Sequence, residues 1–554
     1  MNKEKNRLQL VIDWFAYKWC GKNKGRNIVV ENIKTSNVKT AEVFMTFAKA
    51  GIYSLLPENL NIDQHFSVYP PDRYGFESNL EFQKDKVLYI LGLLLSIPAR
   101  NKSIISDNGF VPFSAKLLNN NITDYRAYIS YLCDTCVIEV YNEGAYVVGE
   151  SSKRYRWCEQ YRNSKLIKVY TDCGVREFNK KKKTVTVEEF KRSLLSSHES
   201  LATYPYLSYW YNTDKLRVDY DAACEYAYFV RKNLLDKGKE HWEDNKDKGC
   251  KKNPYTQCYA IIWNLDKLKE QNYEAQINDN VHRLYSVLTN MQKVYRKFLS
   301  YDSQELVSID IKNSQPYISC LLLNKDFWAT NSPLPLSFNK LPRNIIDSIR
   351  VRNKKDDSYP IVEDINDFFN NLDTTDIETF KEIVASGKMY ETIKEWTLNE
   401  EGVTIDRDKA KVTIFLLFFS SNYVNSSDEN HWLRMLFNSK FPNVAELFKI
   451  IKRKFRHLDE EKQHGRLACL LQTIESEIIL HRCCKRIWEE GNQQIPVFTI
   501  HDSIVTTRDN VEFVINIMTE ELTSCIGLAP SLEVEVWNSS ALQEEVANYN
   551  LNLT

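Results

Sequence analysis

The sequence predicts an α+β fold, and three observations lead to this prediction. The apolar segment 306–309 has the length of a short buried strand, and it delivers Asp310 to its end. Two β-rich segments within 495–507 flank the residues 501–503, as the two strands of a hairpin flank its turn. Between these regions, residues 407–422 repeat side-chain types every four positions, which is the spacing of one helix face.

Composition limits the class of protein. The chain has 554 residues, of which 43% are hydrophobic and 27% charged, and its formal net charge is −1. These values are typical of a globular protein with roughly two to four domains. Bulk charge neither supports nor excludes a nucleic-acid partner, because a local basic channel can be balanced by acidic surface elsewhere.

The distribution of apolar residues and cysteines indicates a cytoplasmic protein without membrane association. The longest apolar run, 87–98, is too short to cross a bilayer and predicts a buried helix. The 13 cysteines are scattered, and the polar first residues are not followed by the apolar core of a signal peptide. We therefore expect reduced thiols.

Residues 85–160 have their own pattern of helices and strands. Helices are expected at 86–95 and 123–133, strands at 137–141 and 145–149, a turn at 142–144, and a basic run follows at 151–157. This order predicts a winged-helix-like domain whose second helix enters a major groove, while Lys153, Arg154 and Arg156 meet phosphates. The alternative is a small structural subdomain with a solvated basic strand end.

Asp310 and Asp502 are the candidate catalytic residues. An acid at the end of a buried strand is costly unless it binds a cation or a hydrogen-bond donor. Two acids on adjacent strand ends suit two-metal phosphoryl transfer, in which ions about 3.5–4 Å apart share carboxylate ligands. We expect two Mg²⁺ ions here, with Mn²⁺ as a substitute.

The helix at 407–422 carries Arg407, Lys411, Phe415 and Phe419 on one face. Two cations followed by two aromatic rings suit a nucleoside triphosphate, because the cations meet phosphates and the rings stack on base and sugar. Taken alone, the stripe is more typical of an amphipathic core helix with a basic end. Its position between the two acids favours the nucleotide site.

The order of these segments resembles that of family A DNA polymerases. Asp310 looks like the acid of motif A, residues 500–503 (IleHisAspSer) look like motif C, and Arg407-xxx-Lys411-xxx-Phe415-xxx-Phe419 is similar to motif B, whose pattern is Arg-xxx-Lys-xxx-Phe-xxx-Tyr-Gly. Three further matches lie at 283–292, before motif A, at 530–536, the closing strand, and at Gln472, before motif C. The resemblance covers roughly residues 280–540.

The resemblance implies a right-hand polymerase with an antiparallel palm sheet. It implies template-directed nucleotidyl transfer to a 3′-hydroxyl, with a DNA primer–template or other nucleic acid and nucleoside triphosphates as partners. Small size and no convincing acidic cluster upstream suggest an enzyme without a proofreading exonuclease, from a mobile element, phage or defence system. The expected regions are a helical segment of unknown role at 1–84, the winged-helix-like domain at 85–160, a charged linker at 161–204, a reduced thumb-like helical region at 205–282, and the palm and fingers at 283–554, with the fingers across about 320–440.

The resemblance also implies roles for individual residues. Metal ions would bind Asp310, Asp502 and the backbone carbonyl of Ile311. The nucleotide would contact Arg407, Lys411, Phe415, Phe419 and Gln315, and the primer–template would contact Arg283, Gln472 and His501. Lys312 and Asn313 would either touch the triphosphate or cap the following helix, whereas Glu475 and Glu477 are typical of the solvent face of a helix and are interpreted as structural.

Three departures bear on which sugar is used. Ser503 stands where DNA polymerases usually have glutamate and single-subunit RNA polymerases have serine, and Phe419 replaces a tyrosine common to both. Gln315, however, occupies the position where DNA polymerases place a glutamate that blocks a ribose 2′-hydroxyl. We therefore expect a DNA polymerase, with a single-subunit RNA polymerase or primase-like enzyme as the alternative and a catalytically inactive DNA-binding regulator as the second.

Overall fold

The computed structural model describes most of the chain, and some of our predictions lie outside that part. The first helical segment is described only from residue 53, and the predicted turn at 142–144, the strand at 145–149 and most of the charged linker are outside it. The described residues are 53–76, 81–122, 124–141, 152–170, 201, 203–245, 247–350, 360–370, 374–422, 430–454 and 463–551.

The N-terminal part is built around one long helix that is buried on most of its surface. This helix contains the apolar run 87–98, so the prediction of a buried helix is confirmed. The elements are β1 (Tyr53–Pro57), α1 (Ile62–Val68), α2 (Lys84–Arg100), β2 (Val111–Pro112), α3 (Ala115–Asn121), α4 (Tyr125–Asp134), β3 (Ile138–Val140), β4 (Arg154–Trp157), α5 (Glu159–Arg162) and β5 (Leu166–Tyr170).

Strands β2, β4 and β3 form a three-stranded antiparallel sheet in that order, next to α2, α3 and α4. The strand that pairs with β3 is thus the basic run itself, because Tyr155 and Trp157 turn inward and bury their rings. Arg156 donates to Glu139 at 2.7 Å and lies over the Phe110 ring. Its guanidinium is used within the unit, and the phosphate contact suggested by the sequence stays a prediction.

The middle of the chain adds helices and one strand of the central sheet. Strand β6 belongs to the region expected to be thumb-like, yet it pairs antiparallel with β11. The elements are α6 (Pro205–Ser208), β6 (Leu216–Val218), α7 (Tyr220–Lys237), β7 (Asp244–Asn245), β8 (Cys250–Lys251), α8 (Pro254–Lys269), β9 (Gln276–Ile277), β10 (Leu284–Tyr285), α9 (Val287–Asn290), α10 (Lys293–Arg296) and β11 (Leu299–Tyr301).

The C-terminal part completes the sheet and covers it with helices. The elements are β12 (Gln304–Ile311), α11 (Ser314–Leu322), α12 (Lys325–Trp328), α13 (Arg343–Ile349), α14 (Pro360–Asn370), α15 (Thr375–Ala385), α16 (Met389–Glu401), α17 (Arg407–Phe419), α18 (His431–Lys440), α19 (Pro442–Ile451), α20 (Arg466–Ser476), a π-helix (Glu477–Cys484), α21 (Lys485–Glu490), β13 (Phe498–Ile500), β14 (Ser503–Thr507), α22 (Val511–Ile526), β15 (Leu532–Trp537) and α23 (Ser540–Leu551).

The central sheet has six strands and is antiparallel throughout. Its order is β13-β14-β12-β11-β6, and β15 pairs with the other side of β12. Strand β12 is therefore bordered on both sides, and its side chains at 306, 307, 309 and 311 are buried on both faces. The α+β prediction is confirmed. Within the described part of the chain, no helix combines the length and apolar character that crossing a membrane requires.

Helix α17 is held at its C-terminal end by two cations. Lys452 is only 2% exposed, and its ammonium group donates to the backbone carbonyls of Leu417 and Ser420. Arg434 donates to the carbonyl of Ser421 at 2.8 Å. The last carbonyls of a helix have no partner inside the helix, and cations there also interact favourably with the helix dipole. These contacts fix the position of α17 relative to α18 and α19.

We expect Lys452→Met to lower the free energy of unfolding by about 1–3 kcal/mol, because it leaves buried carbonyls without a donor. Urea denaturation of the purified protein would measure this. The control is Lys449→Met, since Lys449 lies in α19 just before Lys452, its side chain is 41% exposed, and it pairs with Glu446. We expect this control to stay within about 0.5 kcal/mol of wild type. Equal losses in both variants would contradict the role of Lys452.

Candidate active site

Asp310 and Asp502 lie side by side at the end of two neighbouring strands. Asp310 is near the end of β12 and faces Ser503 in the register with β14. Asp502 precedes Ser503 in the two-residue turn between β13 and β14. The other turn residue, His501, has a φ of 57°, which is the left-handed region that non-glycine residues rarely adopt. The backbone strain at this turn marks it as a site held in place by its surroundings.

Burial and a neighbouring acid raise the cost of ionising each of the two carboxyl groups. Burial, and then the charge of Asp502, raise the pKa of Asp310 to about 6, although a hydrogen bond from the Ser503 hydroxyl opposes this. Burial, and then the charge of Glu475, raise the pKa of Asp502 to about 6, against a hydrogen bond from Ser314. Such shifts are typical of acids placed for function rather than for stability.

The donor set fits Mg²⁺. Two half-buried carboxylates supply hard oxygen ligands, and Mg²⁺ usually binds through one or two carboxylates together with substrate phosphates. Among the described residues, no group of three or more histidine, cysteine, aspartate or glutamate side chains could form a metal site by itself. Two carboxylates leave room for a cation to take its remaining ligands from a substrate.

Glu475 is a residue of this site that the sequence interpretation missed. It lies on α20 and is 0% exposed, so the expectation of a solvent-facing structural acid is wrong. Its carboxylate accepts a hydrogen bond from Arg283 at 2.7 Å and another from the Gln315 side-chain amide at 2.6 Å. The structure thus joins two predicted site residues, Arg283 and Gln315, through an acid that the helical pattern did not single out.

His501 and Gln472 flank this cluster. Burial, and then the charges of Arg283 and Arg296, lower the pKa of His501 to about 4, so its imidazole is neutral near pH 7. The ring packs edge-on against Tyr285, with 5.6 Å between ring centroids. Gln472 is half-buried one turn before Glu475 on α20, on the same side of the helix.

Buried polar atoms without a hydrogen-bond partner gather around the two acids. Buried polar groups in folded proteins are normally paired, so a local group of unpaired ones indicates a place where a polar ligand binds. The atoms are Arg283 Nε, Arg296 Nε, Asn313 Oδ1 and Nδ2, Gln315 Oε1, Glu475 Oε1 and His501 Nδ1. Glu475 Oε1 is an exception, because it lies 2.6 Å from Arg283 Nη2 in an ion pair although the contact does not have the geometry of a hydrogen bond.

Asn313 resolves one of the alternatives left open by the sequence. It precedes α11 in the left-handed conformation, with a φ of 53°, and its side chain makes no capping bond to that helix. Both polar atoms of its amide are buried without a partner. Asn313 therefore occupies the N-cap position without a capping bond from its side chain, and its amide is a ligand-contact candidate. The neighbouring Lys312 donates its backbone N–H to the carbonyl of Ser531 at 2.9 Å.

The predicted stripe on α17 lies on the accessible face of that helix. Phe415 is 55% exposed, and its ring centroid is 5.4 Å from that of the half-buried Phe419. The core of the helix is formed by Ala410, Ile414 and Leu417 instead. The interpretation as an amphipathic core stripe is therefore wrong, because the stripe is the side that α17 leaves uncovered.

Tyr390, at the start of α16, is a second residue that the sequence interpretation missed. Its ring lies beneath two cations, with Arg407 5.2 Å and Lys411 5.9 Å from the ring centroid. Burial raises the pKa of its hydroxyl to about 12, with a contribution from the charge of Asp502. Tyr390 thus connects the cations of α17 with the acidic pair.

Comparisons with known proteins identify no family. No family model matches the chain, and no curated protein matches it. Among solved structures, the chain is similar to the POL domain of Pol1 from M. smegmatis in complex with DNA primer-template and dNTP, with 12% sequence identity and a TM-score of 0.33. This similarity covers 64% of this chain and 74% of that one. At this TM-score the likeness determines neither family nor function.

We expect Asp310→Asn/Asp502→Asn to stabilise the metal-free protein at pH 7.5, on the order of 2–3 kcal/mol for each carboxyl. Each folded pKa, about 6, lies above the ordinary value of 3.8, so the folded wild type binds more protons than the unfolded chain between these values. Wild-type stability therefore falls as pH rises through this window, and the difference from the variant is largest above it.

Urea denaturation in the presence of a chelator, at about pH 5 and about pH 7.5, measures the difference in stability between the double variant and wild type. Added Mg²⁺ should reduce this difference, because it binds only the wild type. The exposed Asp509 provides the control, because Asp509→Asn should leave stability within about 0.5 kcal/mol at both values of pH. A double variant whose advantage does not change with pH would contradict the raised pKa values.

Proposed function

We propose that this chain is a template-directed nucleotidyltransferase that adds deoxynucleotides to the 3′-hydroxyl of a primer, in the manner of family A DNA polymerases. The observation that carries the proposal is the register of β12 and β14, which places Asp310 and Asp502 at adjacent strand ends. The unpaired polar atoms around them and the accessible stripe of α17 support a polar, phosphate-bearing ligand.

Asp310, Asp502 and the backbone carbonyl of Ile311 would hold the metal ions. Two Mg²⁺ ions at this position would lower the pKa of the primer 3′-hydroxyl and would neutralise the charge of the triphosphate and of the departing pyrophosphate. Ser503 and Ser314 orient the two carboxylates by donating to them. Burial and neighbouring acids raise the pKa of each carboxyl to about 6, and a bound cation would favour the ionised form of both.

The accessible face of α17 is the proposed triphosphate and base site. Arg407 and Lys411 would contact the phosphates, while Phe415 and Phe419 would pack on the base and sugar. Arg407 is half exposed and lies 3.4 Å from Glu391, a loose exposed pair that a phosphate can replace at little cost. Tyr390 keeps both cations on the side of α17 that faces Asp502.

The opposite side of the acidic pair is the proposed primer–template site. Arg283 would contact the minor groove of the primer–template, and Gln472 would contact the primer–template as well. His501 would lie beside the primer terminus. The neutral imidazole of His501 has one nitrogen without a partner, so it can accept or donate a hydrogen bond without adding charge. Gln315, next to Asp310, would exclude a ribose 2′-hydroxyl by its bulk.

The finer organisation belongs to the same proposal. The central sheet, including β6, would be the palm, the helices across about 320–440 the fingers, and the helices within 205–282 a reduced thumb. The unit from α2 to β4 would be a winged-helix-like domain that binds DNA through α4 and Arg154. With this combination of domains, the chain would be a cytoplasmic enzyme of a mobile element, phage or defence system.

Primer extension tests the proposed reaction. We expect purified wild-type protein with Mg²⁺, a DNA primer–template and dNTPs to lengthen the primer, and Asp502→Asn to lower the rate by at least about a thousandfold, because one metal ligand is lost. The Asp509→Asn variant is the matched control and should extend at the wild-type rate. Incorporation of NTPs alone would favour the RNA polymerase alternative. No product from wild type with either set would favour an inactive DNA-binding regulator.

Sugar selection tests the position of Gln315 separately. We expect Gln315→Gly to raise NTP incorporation relative to dNTP incorporation by about tenfold or more, because the space next to the nucleotide sugar becomes open to a 2′-hydroxyl. The measurement is the ratio of kcat/KM for dGTP to that for GTP opposite the same template base. An active variant with the wild-type ratio would show that Gln315 is not the gate.

A further inference from the structure

Glu475 holds two residues of different predicted roles with one carboxylate. Gln315 Nε2 and Arg283 Nη2 both donate to Glu475 Oε2, at 2.6 Å and 2.7 Å. All three side chains are at least half-buried, and Glu475 is completely buried. Burying an acid is costly, and the exposed face of a helix would avoid that cost, so its placement here calls for a reason.

The Glu475 carboxylate determines which way the Gln315 amide faces. A side-chain amide has one donor end and one acceptor end, and either can point in a given direction. A carboxylate only accepts, so the Nε2 end must face Glu475, and the Oε1 end is left as a buried acceptor without a partner. The position next to Asp310 thus presents an oriented acceptor rather than a freely turning amide.

The same carboxylate neutralises Arg283. The ion pair is buried, with side chains 14% and 1% exposed, and Glu475 is the acid in direct contact with the Arg283 guanidinium. Arg283 Nε is buried and without a hydrogen-bond partner, which leaves one donor of the guanidinium for a ligand. A shift of Glu475 would therefore disturb the Gln315 amide and the Arg283 guanidinium together.

We propose that Glu475 is a positioning residue that fixes the sugar gate Gln315 and the primer–template residue Arg283 as one unit. This inference rests on the proposed function and adds to it a residue that selects deoxynucleotides indirectly. Discrimination against ribonucleotides then depends on Glu475 although the nucleotide does not touch it. A primer–template that shifts Arg283 also shifts the gate through the shared carboxylate.

Glu475→Gln is the first test, because it keeps the volume of the side chain, removes its charge and replaces one acceptor oxygen by an amide donor. We expect the dGTP/GTP ratio of kcat/KM to fall by about tenfold and the affinity for primer–template to weaken by a similar factor. Fluorescence anisotropy with a labelled primer–template measures the second quantity without any chemistry. The control is Glu477→Gln, a half-buried acid of the following π-helix turn, which should leave both quantities unchanged.

An exchange of the two groups separates positioning from general stability. Gln315→Glu alone brings two carboxylates together and should abolish most discrimination. Gln315→Glu/Glu475→Gln restores one amide and one carboxylate in contact, with the donor now on the α20 side. We expect the double variant to recover the dGTP/GTP ratio to within about threefold of wild type, which a merely structural role of Glu475 would not produce.

The outcomes distinguish this inference from the function on which it rests. Wild type that extends no primer would contradict the proposed function, and the inference with it. Active wild type with an unchanged dGTP/GTP ratio in Glu475→Gln would contradict the inference alone. Loss of activity in both single variants without recovery in the exchange would likewise overturn it, provided that thermal denaturation shows the double variant to be folded.

Discussion

Pairing of β12 on both of its sides is the constraint on which the rest of the site depends. A register shift of one residue would turn every side chain of β12 to the opposite face, so the pairing with β14 and β15 specifies where Asp310 points. The same ladder puts Ser503 opposite Asp310, which leaves Asp502 next to it in the turn. Helices α11 and α20 then bring Ser314 and Glu475 to the same edge. Backbone pairing thus determines where the two carboxylates lie, and side-chain contacts determine only their orientation.

Much of the arrangement could be predicted from the sequence because its signals are local. A short apolar run ending in Asp310, and two β-rich segments around Asp502, indicate strand ends without any knowledge of their partners. The spacing from Arg407 to Phe419 likewise indicates one helix face. Whether such a face is buried is not a local property. The structure decides that question for α17, because Ala410 and its neighbours pack into the core instead.

The residues that sequence reasoning missed are those whose role comes from distant neighbours. Glu475 looks like any acid on a helix, and only the approach of Arg283 and Gln315, far away in the chain, gives it partners. Tyr390 owes its position to the packing of α16 on α17. Strand β4 is a different case. Tyr155 and Trp157 are two positions apart and both are buried, so the alternation of a strand is present in the sequence of this segment. Its basic residues drew the interpretation towards phosphate binding instead.

Local charge explains why the bulk charge of the chain says so little. Cations from several elements lie near the acidic pair. Lys293 and Arg296 interact electrostatically with Asp310, and Arg283 does so with Asp502. Arg407 and Lys411 contact the ring of Tyr390. Elsewhere acids balance them, so the formal net charge of −1 is a sum over unlike regions. Electrostatic attraction of a phosphate falls off within about 10 Å at moderate salt, so a ligand senses the site and not the sum. A near-neutral chain can therefore still present a strongly polar site, provided that its fold separates the charges.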